Sequence, residues 1–191
     1  MRVAAPLRTL GTPLAEMVSP MPYPVLFDIT AEGGKHGSQH HGRNGFSYEI
    51  PDSAIDSMVE FMAQPHSPTA LTQLRHLGGA MGNVPQDATA FAHRDKQYMM
   101  SVFDSWSDPA QTEAEHDWVQ RYWQALSPHT SGSYVNFLFA QEGEERIRGS
   151  YAPSTYHRLA ELKQRYDPSN VFHLNQNIAP SRETRREERA A

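Results

Sequence analysis

Tyr166-Asp167-Pro168-Ser169-Asn170-Val171-Phe172-His173-Leu174-Asn175-Gln176-Asn177-Ile178-Ala179-Pro180 decides how this chain is read. Asp167-Pro168 ends a helix, because proline lacks the N–H and crowds the turn before it. Ser169 and Asn170 hold a turn through side-chain bonds to nearby backbone. Val171, Phe172, Leu174 and Ile178 are apolar anchors, and Asn175, Gln176 and Asn177 stand between them. Amides both donate and accept. Beside apolar anchors they suit a neutral polar ligand edge such as a polyol or a pyrimidine. The plainer alternative is that they only satisfy loop backbone.

Working back from that stretch, Pro153 to Tyr166 reads as a helix with Tyr156, Leu159, Leu162 and Tyr166 inward. Glu142 to Gly149 reads as a weak helix. Asp108-Pro109 caps a long helix to about Leu126, with Trp118, Tyr122, Ala125 and Leu126 as its core stripe. Glu113, Glu115 and Asp117 lie in its first half, where they complement the helix dipole. Pro51-Asp52-Ser53 opens another helix that ends before Pro65. Ser53 and Asp56 are placed like a capping box, and Ile55, Met58, Val59 and Met62 line one face. Phe46–Ile50, Ala70–Leu77, Thr89–Ala92 and Tyr98–Trp106 read as strands, and Ser133–Phe139 as a short strand-like run. In Tyr98–Trp106 the side chains of Tyr98, Met100, Val102 and Trp106 point one way. Gly33–Gly45 reads as a loop, and Gly78, Gly79 and Gly82 as a sheet bend or a close backbone approach. Thr12 and Pro13 open a short helix over Leu14 to Val18. The tail from Ser181 to Ala191 is densely charged, and disorder is expected there. The sum is an α+β fold, an antiparallel sheet flanked by helices.

Composition sets bounds. The chain has 191 residues and 21.5 kDa, enough for one good core. A net charge of −5 and a pI near 6.0 do not indicate a nucleic-acid partner. With no cysteine, disulfide scaffolds and thiolate metal sites are excluded. No apolar run approaches the roughly 20 residues of a membrane span. The N-terminus lacks the apolar core of a signal peptide, so a soluble, cytoplasmic chain is expected.

Three groups of side chains draw attention as sites. In Ser133-Tyr134-Val135-Asn136-Phe137, strand alternation puts Tyr134 and Asn136 on one face. A phenol beside an amide can take a proton from a substrate hydroxyl or amine, provided its pKa falls from about 10. The alternative is a buried tyrosine whose hydroxyl bonds backbone. His93, in Thr89-Ala90-Phe91-Ala92-His93-Arg94, lines a pocket or pairs with Asp95 in a turn. His36, His40 and His41 have no helix to align them and no carboxylate beside them, so a solvated loop is favoured over a metal site. Gly78-Gly79-Ala80-Met81-Gly82 lacks the spacing of a dinucleotide fingerprint.

Tyr166–Pro180 closely resembles the C-terminal signature of the berberine-bridge-enzyme-like branch of FAD-linked oxidases, roughly Tyr-Asp-Pro-x-Asn-x-Phe-(Arg)-x-Asn-Gln-Asn-Ile-x-Pro. His173 stands where many relatives have arginine. Ser133–Phe137 resembles the Tyr-x-Asn segment that lies against the flavin in that family, and Thr89–Arg94 a segment on its substrate side. The resemblance implies an FAD cofactor, with contacts from Asn136, Asn175 and Asn177. It implies Tyr134 as the catalytic proton acceptor, His93 at the substrate, and a small-molecule alcohol, sugar or amine oxidised by hydride transfer. It also implies three regions: an incomplete substrate-type domain over 1–132, a C-terminal segment over 133–180 that completes the flavin site, and the tail over 181–191. The family's flavin-cradling N-terminal domain, with its glycine-rich loop, is not recognisable here. The expectation is therefore a truncated chain, inactive without an FAD-binding domain or chain in trans. A non-catalytic ligand-binding module and a non-functional remnant are the alternatives.

Overall fold

Tyr98–Trp106 is the middle strand of a three-stranded antiparallel sheet of order β1-β3-β2, with β1 Gln39–Ser47, β2 Leu71–His76 and β3 Tyr98–Trp106. The computed structural model describes residues 2–12, 20–25, 27–28, 36–139 and 142–181. Four α-helices accompany the sheet: α1 Asp52–Ala63, α2 Thr112–Leu126, α3 Gly143–Arg148 and α4 Pro153–Tyr166. The α+β class read from the sequence is the one observed. Two compact units divide the chain, residues 1–36 and residues 37 onward. The first holds a 3-10 helix, Arg2–Thr9, closed by the Thr9 hydroxyl donating to the Pro6 carbonyl at 2.7 Å. The second holds the sheet, the helices and residues 133–181 together. The expected helix over 14–18 and the tail beyond Ser181 lie outside the described residues.

One face of the sheet carries the core. Met100 and Val102 of β3 are fully buried against Ala54 and Met58 of α1 and Trp118, Val119, Tyr122 and Leu126 of α2. Tyr122 stacks on Phe61 at 4.5 Å, and its hydroxyl meets that of Thr72 on β2 at 2.7 Å. A buried phenol thus keeps its hydrogen bond while its ring supplies apolar area.

Several expected elements differ. β1 begins at Gln39, inside the stretch expected to be a loop. Gly42 belongs in that strand because a Cβ there would come within 2.4 Å of the Phe103 ring on β3. Thr89–Ala92 is irregular, and Ser133–Phe139 forms a 3-10 turn, Val135–Phe137, with a lone bridge from Ser131 to Phe46. On α1 the buried stripe is Ala54 and Met58, while Ile55 and Val59 are 44% and 63% exposed. Spacing gives the period of the stripe but not which of two adjacent stripes meets the sheet. The capping box is also absent: Pro51 is the N-cap, without a side-chain bond, and the Ser53 hydroxyl lies 3.4 Å from His129. On α4 Tyr156 and Ala160 are buried, whereas Leu162 and Tyr166 are exposed. Among the described residues no helix is long and apolar enough to cross a membrane.

Candidate functional site

The other face of the sheet is covered by residues 133–139, and the Asn44 amide is the first of the ties that fasten them there. Asn44 of β1 is fully buried, and its Oδ1 accepts the Tyr134 N–H at 2.6 Å while its Nδ2 donates to the Phe137 carbonyl at 3.1 Å. Arg146 of α3 adds a second tie. Its guanidinium donates to the carbonyls of Asn44 at 2.5 Å and Gly132 at 2.9 Å, and to the Glu142 carboxylate at 2.9 Å. The Ser133 hydroxyl donates to the Arg146 carbonyl at 2.6 Å and meets Ser150 at 2.8 Å. Gly132, at φ +63°, has no room for a side chain, since a Cβ would sit 2.3 Å from the His93 ring.

Held this way, residues 134–137 form one wall of a cleft of about 560 Å³. Phe46, Met81, Phe91 and Met99 give it an apolar lining. Tyr134 and Asn136 come together on its wall, with Asn136 Nδ2 donating to the Tyr134 hydroxyl at 2.8 Å. A 3-10 turn, rather than the expected strand alternation, brings them there. Phe137 meets Phe103 of β3 edge-on at 5.8 Å, and the Arg75 guanidinium of β2 lies 4.8 Å over the Phe137 ring.

Arg75 was not singled out by the sequence reading. It lines the cleft, and it is the one charged residue among the lining residues. Burial lowers its pKa, and the neighbouring Tyr134 acts in the opposite sense. Its Nη1 is buried without a hydrogen-bond partner, as are Ser101 Oγ and Gln73 Oε1 on the same sheet face. β2, Leu71-Thr72-Gln73-Leu74-Arg75-His76, mixes polar and apolar residues, so its one full charge gave little signal.

His93 lies behind the cleft rather than on its lining: it is buried, stacked on Phe46 at 4.1 Å and against Gly132. Burial is the main cause lowering its pKa. Asp95 is not its partner; that carboxylate takes the Tyr48 hydroxyl and Lys96. Asn175 and Asn177 line a second cavity of about 1050 Å³, bounded by α3, α4 and the C-terminal segment. Tyr151 lines both cavities. The C-terminal segment is held by Asp167, whose carboxylate accepts Lys163 Nζ at 2.5 Å and the N–H groups of Val171 at 2.8 Å and Phe172 at 3.0 Å. Gln176 Nε2 donates to the Leu138 carbonyl at 2.6 Å. Asn170 and Asn175 both take positive φ, 52° and 60°, a conformation asparagine tolerates better than most residues.

The histidines near residue 40 are not all in a solvated loop. His41 is 3% exposed, stacked on His116 of α2 at 4.1 Å, and its pKa is lowered to about 4 by burial, then by Arg43 and His116. Nearby on α2, Glu115 is buried rather than a solvated dipole partner, and burial followed by Asp104 raises its pKa. Among the described residues no group of three or more acidic or histidine side chains has the arrangement of a metal site.

Residues 133–179 match the family described as berberine and berberine like. The chain is similar to the C-terminal part of berberine-bridge-enzyme-like FAD-linked oxidases. An uncharacterized FAD-linked oxidoreductase of Bacillus subtilis, YgaK, is 30% identical over 186 residues, covering 95% of this chain and 40% of the relative. A second from the same organism, YvdP, is 29% identical over 186 residues, covering 95% and 41%. The fold is that of berberine bridge enzyme from Eschscholzia californica: TM-score 0.68, 24% identity, 82% of this chain and 36% of that one. The chain thus spans about 40% of the length of the curated relatives it matches. The two Bacillus subtilis relatives are FAD-linked, and the cleft's chemistry fits one side of such a cofactor. A flavin ring needs apolar contact on its faces and polar groups at its edge; here an apolar wall adjoins Asn136 and Tyr134.

Proposed function

We propose that this chain forms the substrate side and the C-terminal closure of an FAD-dependent oxidoreductase acting on an alcohol, sugar or amine. The remainder of the flavin site comes from a flavin-binding part such as its longer relatives carry, in the same polypeptide or in trans. The Asn136–Tyr134 hydrogen bond of 2.8 Å carries the reading, because it puts a supported phenol at an apolar cleft within the family-matched segment. The Tyr134 oxygen takes the proton of the substrate hydroxyl or amine as the adjacent carbon gives up its hydride. Asn136 donates to that oxygen and so stabilises the phenolate that accepts the proton. A bound FAD supplies the two-electron acceptor. The apolar lining excludes water and strengthens the interaction of these polar groups. Asn175 and Asn177, facing the second cavity, hold a different part of the cofactor from the edge near Asn136. A cytoplasmic location agrees with the lack of cysteine.

The test joins this chain to the flavin-binding part of a relative, loads FAD, and follows anaerobic loss of the flavin's visible absorbance on adding candidate alcohols, sugars and amines. Tyr134→Phe is expected to keep the flavin spectrum but slow the reduction by about 10²- to 10⁴-fold. Reduction of the variant at the wild-type rate would remove Tyr134 from the chemistry.

A further inference from the structure

The Tyr134 cleft has a chemical asymmetry that the redox reading does not use. Its lining is Phe46, Met81, Phe91, Met99 and Phe137 on the apolar side, and one cation, Arg75, stands among them. The Arg75 side chain is half-buried and has no ion pair among the described residues, and its Nη1 is shielded from solvent without a hydrogen-bond partner. Its neighbours Gln73 and Ser101 also keep unpartnered buried polar atoms. The Phe137 ring, 4.8 Å away, holds the guanidinium by its face and leaves the in-plane N–H groups without acceptors. An unmatched guanidinium is costly to bury, and its planar fork suits a carboxylate in two-point contact.

We propose that Arg75 is a specificity-determining residue that anchors the carboxylate of the substrate, so that the cleft takes a hydroxy acid with an apolar, preferably aromatic, body. This rests on the redox reading above. The aryl body fills the space among Phe46, Phe91 and Met99, the carboxylate meets Arg75, and the hydroxyl turns to Tyr134. Arg75 and Tyr134 line the same cleft of about 560 Å³, so one small molecule spans both. In the oxidation the carbinol C–H leaves as hydride to the FAD, the O–H proton goes to Tyr134, and the product is a 2-oxo acid. The carboxylate itself is unchanged.

The experiment is equilibrium binding to this 191-residue chain, by calorimetry, of mandelate and of its neutral counterpart phenylethylene glycol. Mandelate is expected to bind about 10- to 100-fold tighter, the range for a hydrogen bond to a charged group. Arg75→Met should bring that preference close to one while glycol affinity stays put, and Arg75→Lys should restore part of it. Helical circular dichroism of each variant, unchanged, shows that the fold survives. Equal binding of the two probes to the wild-type chain overturns the proposal, as does no binding of either, or a preference that survives Arg75→Met. The redox reading fails separately: Tyr134→Phe leaves the mandelate preference intact, and only its flavin-reduction rate reports on the phenol.

Discussion

The two faces of the sheet are held by different forces. On the helix face Met100 and Val102 meet rings and aliphatic groups, and apolar area removed from water does the work. On the cleft face residues 133–139 are tied by hydrogen bonds from Asn44, Arg146 and Ser133, whose partners lie up to 102 residues away in the chain. The first arrangement tolerates small shifts, because dispersion and area are non-directional. The second fixes position and angle, which is what a wall presenting Tyr134 and Asn136 requires. Stability therefore belongs mainly to one face and placement of chemistry to the other, and substitutions should separate them.

The largest stability effect is expected at Tyr122, fully buried between Phe61 and Thr72. Tyr122→Ala should cost about 3–5 kcal/mol in denaturant unfolding, as large-to-small core changes do. A loss below about 1 kcal/mol would mean that the helix face is not the main source of stability.

Next comes the polar end of the helix face, where pH is the probe. His41 has its pKa lowered to about 4 in the folded chain, against 6.5 for the free side chain. The folded state thus binds fewer protons between those values, and stability should fall as pH drops from 6.5 to 4. The full loss is about 3 kcal/mol for a shift of this size. Arg43 and His116 are the charged and titratable groups that face it. Glu115, faced by Asp104 and His66, acts oppositely, since its raised pKa makes its contribution fade as pH rises through the folded value. Unfolding curves across pH for His41→Gln and Glu115→Gln should each flatten one limb and leave the other.

On the cleft face, Asn44→Ala leaves the Tyr134 N–H and the Phe137 carbonyl without their partner. A loss of about 1–3 kcal/mol is expected for those groups. The sharper readout is local: hydrogen exchange should quicken at the Tyr134 N–H while helix α2 amides keep their protection. Uniform quickening across both faces would show that the latch and the core form one cooperative unit.

How much of this was legible depends on the range of the interaction. The periods of β3 and α2 and the extent of α4 were written in neighbouring residues, and β2 was found because its leucines recur within a few positions. The C-terminal motif needed no packing information, because its residues are contiguous. Asn44 and Arg146 were invisible: nothing near either one records a partner that far along the chain. His41 was read as solvated because Gly37 and Gly42 imitate a loop, whereas Gly42 only admits the Phe103 ring. Arg75 was overlooked because strand patterning treats a lone charge as an exposed position.

The smallest expected effect bears on α1, where two apolar stripes compete for the core. Ala54 and Met58 won it, and Val59 remains 63% exposed. Val59→Ser should therefore change stability by less than about 0.5 kcal/mol, the usual range for an exposed site. Met58→Ala, one residue away, should cost about 2–5 kcal/mol because Met58 is buried against α2 and β3. If the order were reversed, helix α1 would be rotated by one residue, about 100°, which would bring Ile55 and Val59 onto the sheet and leave Ala54 outside. Adjacent substitutions of similar chemistry thus measure the helix's rotation directly.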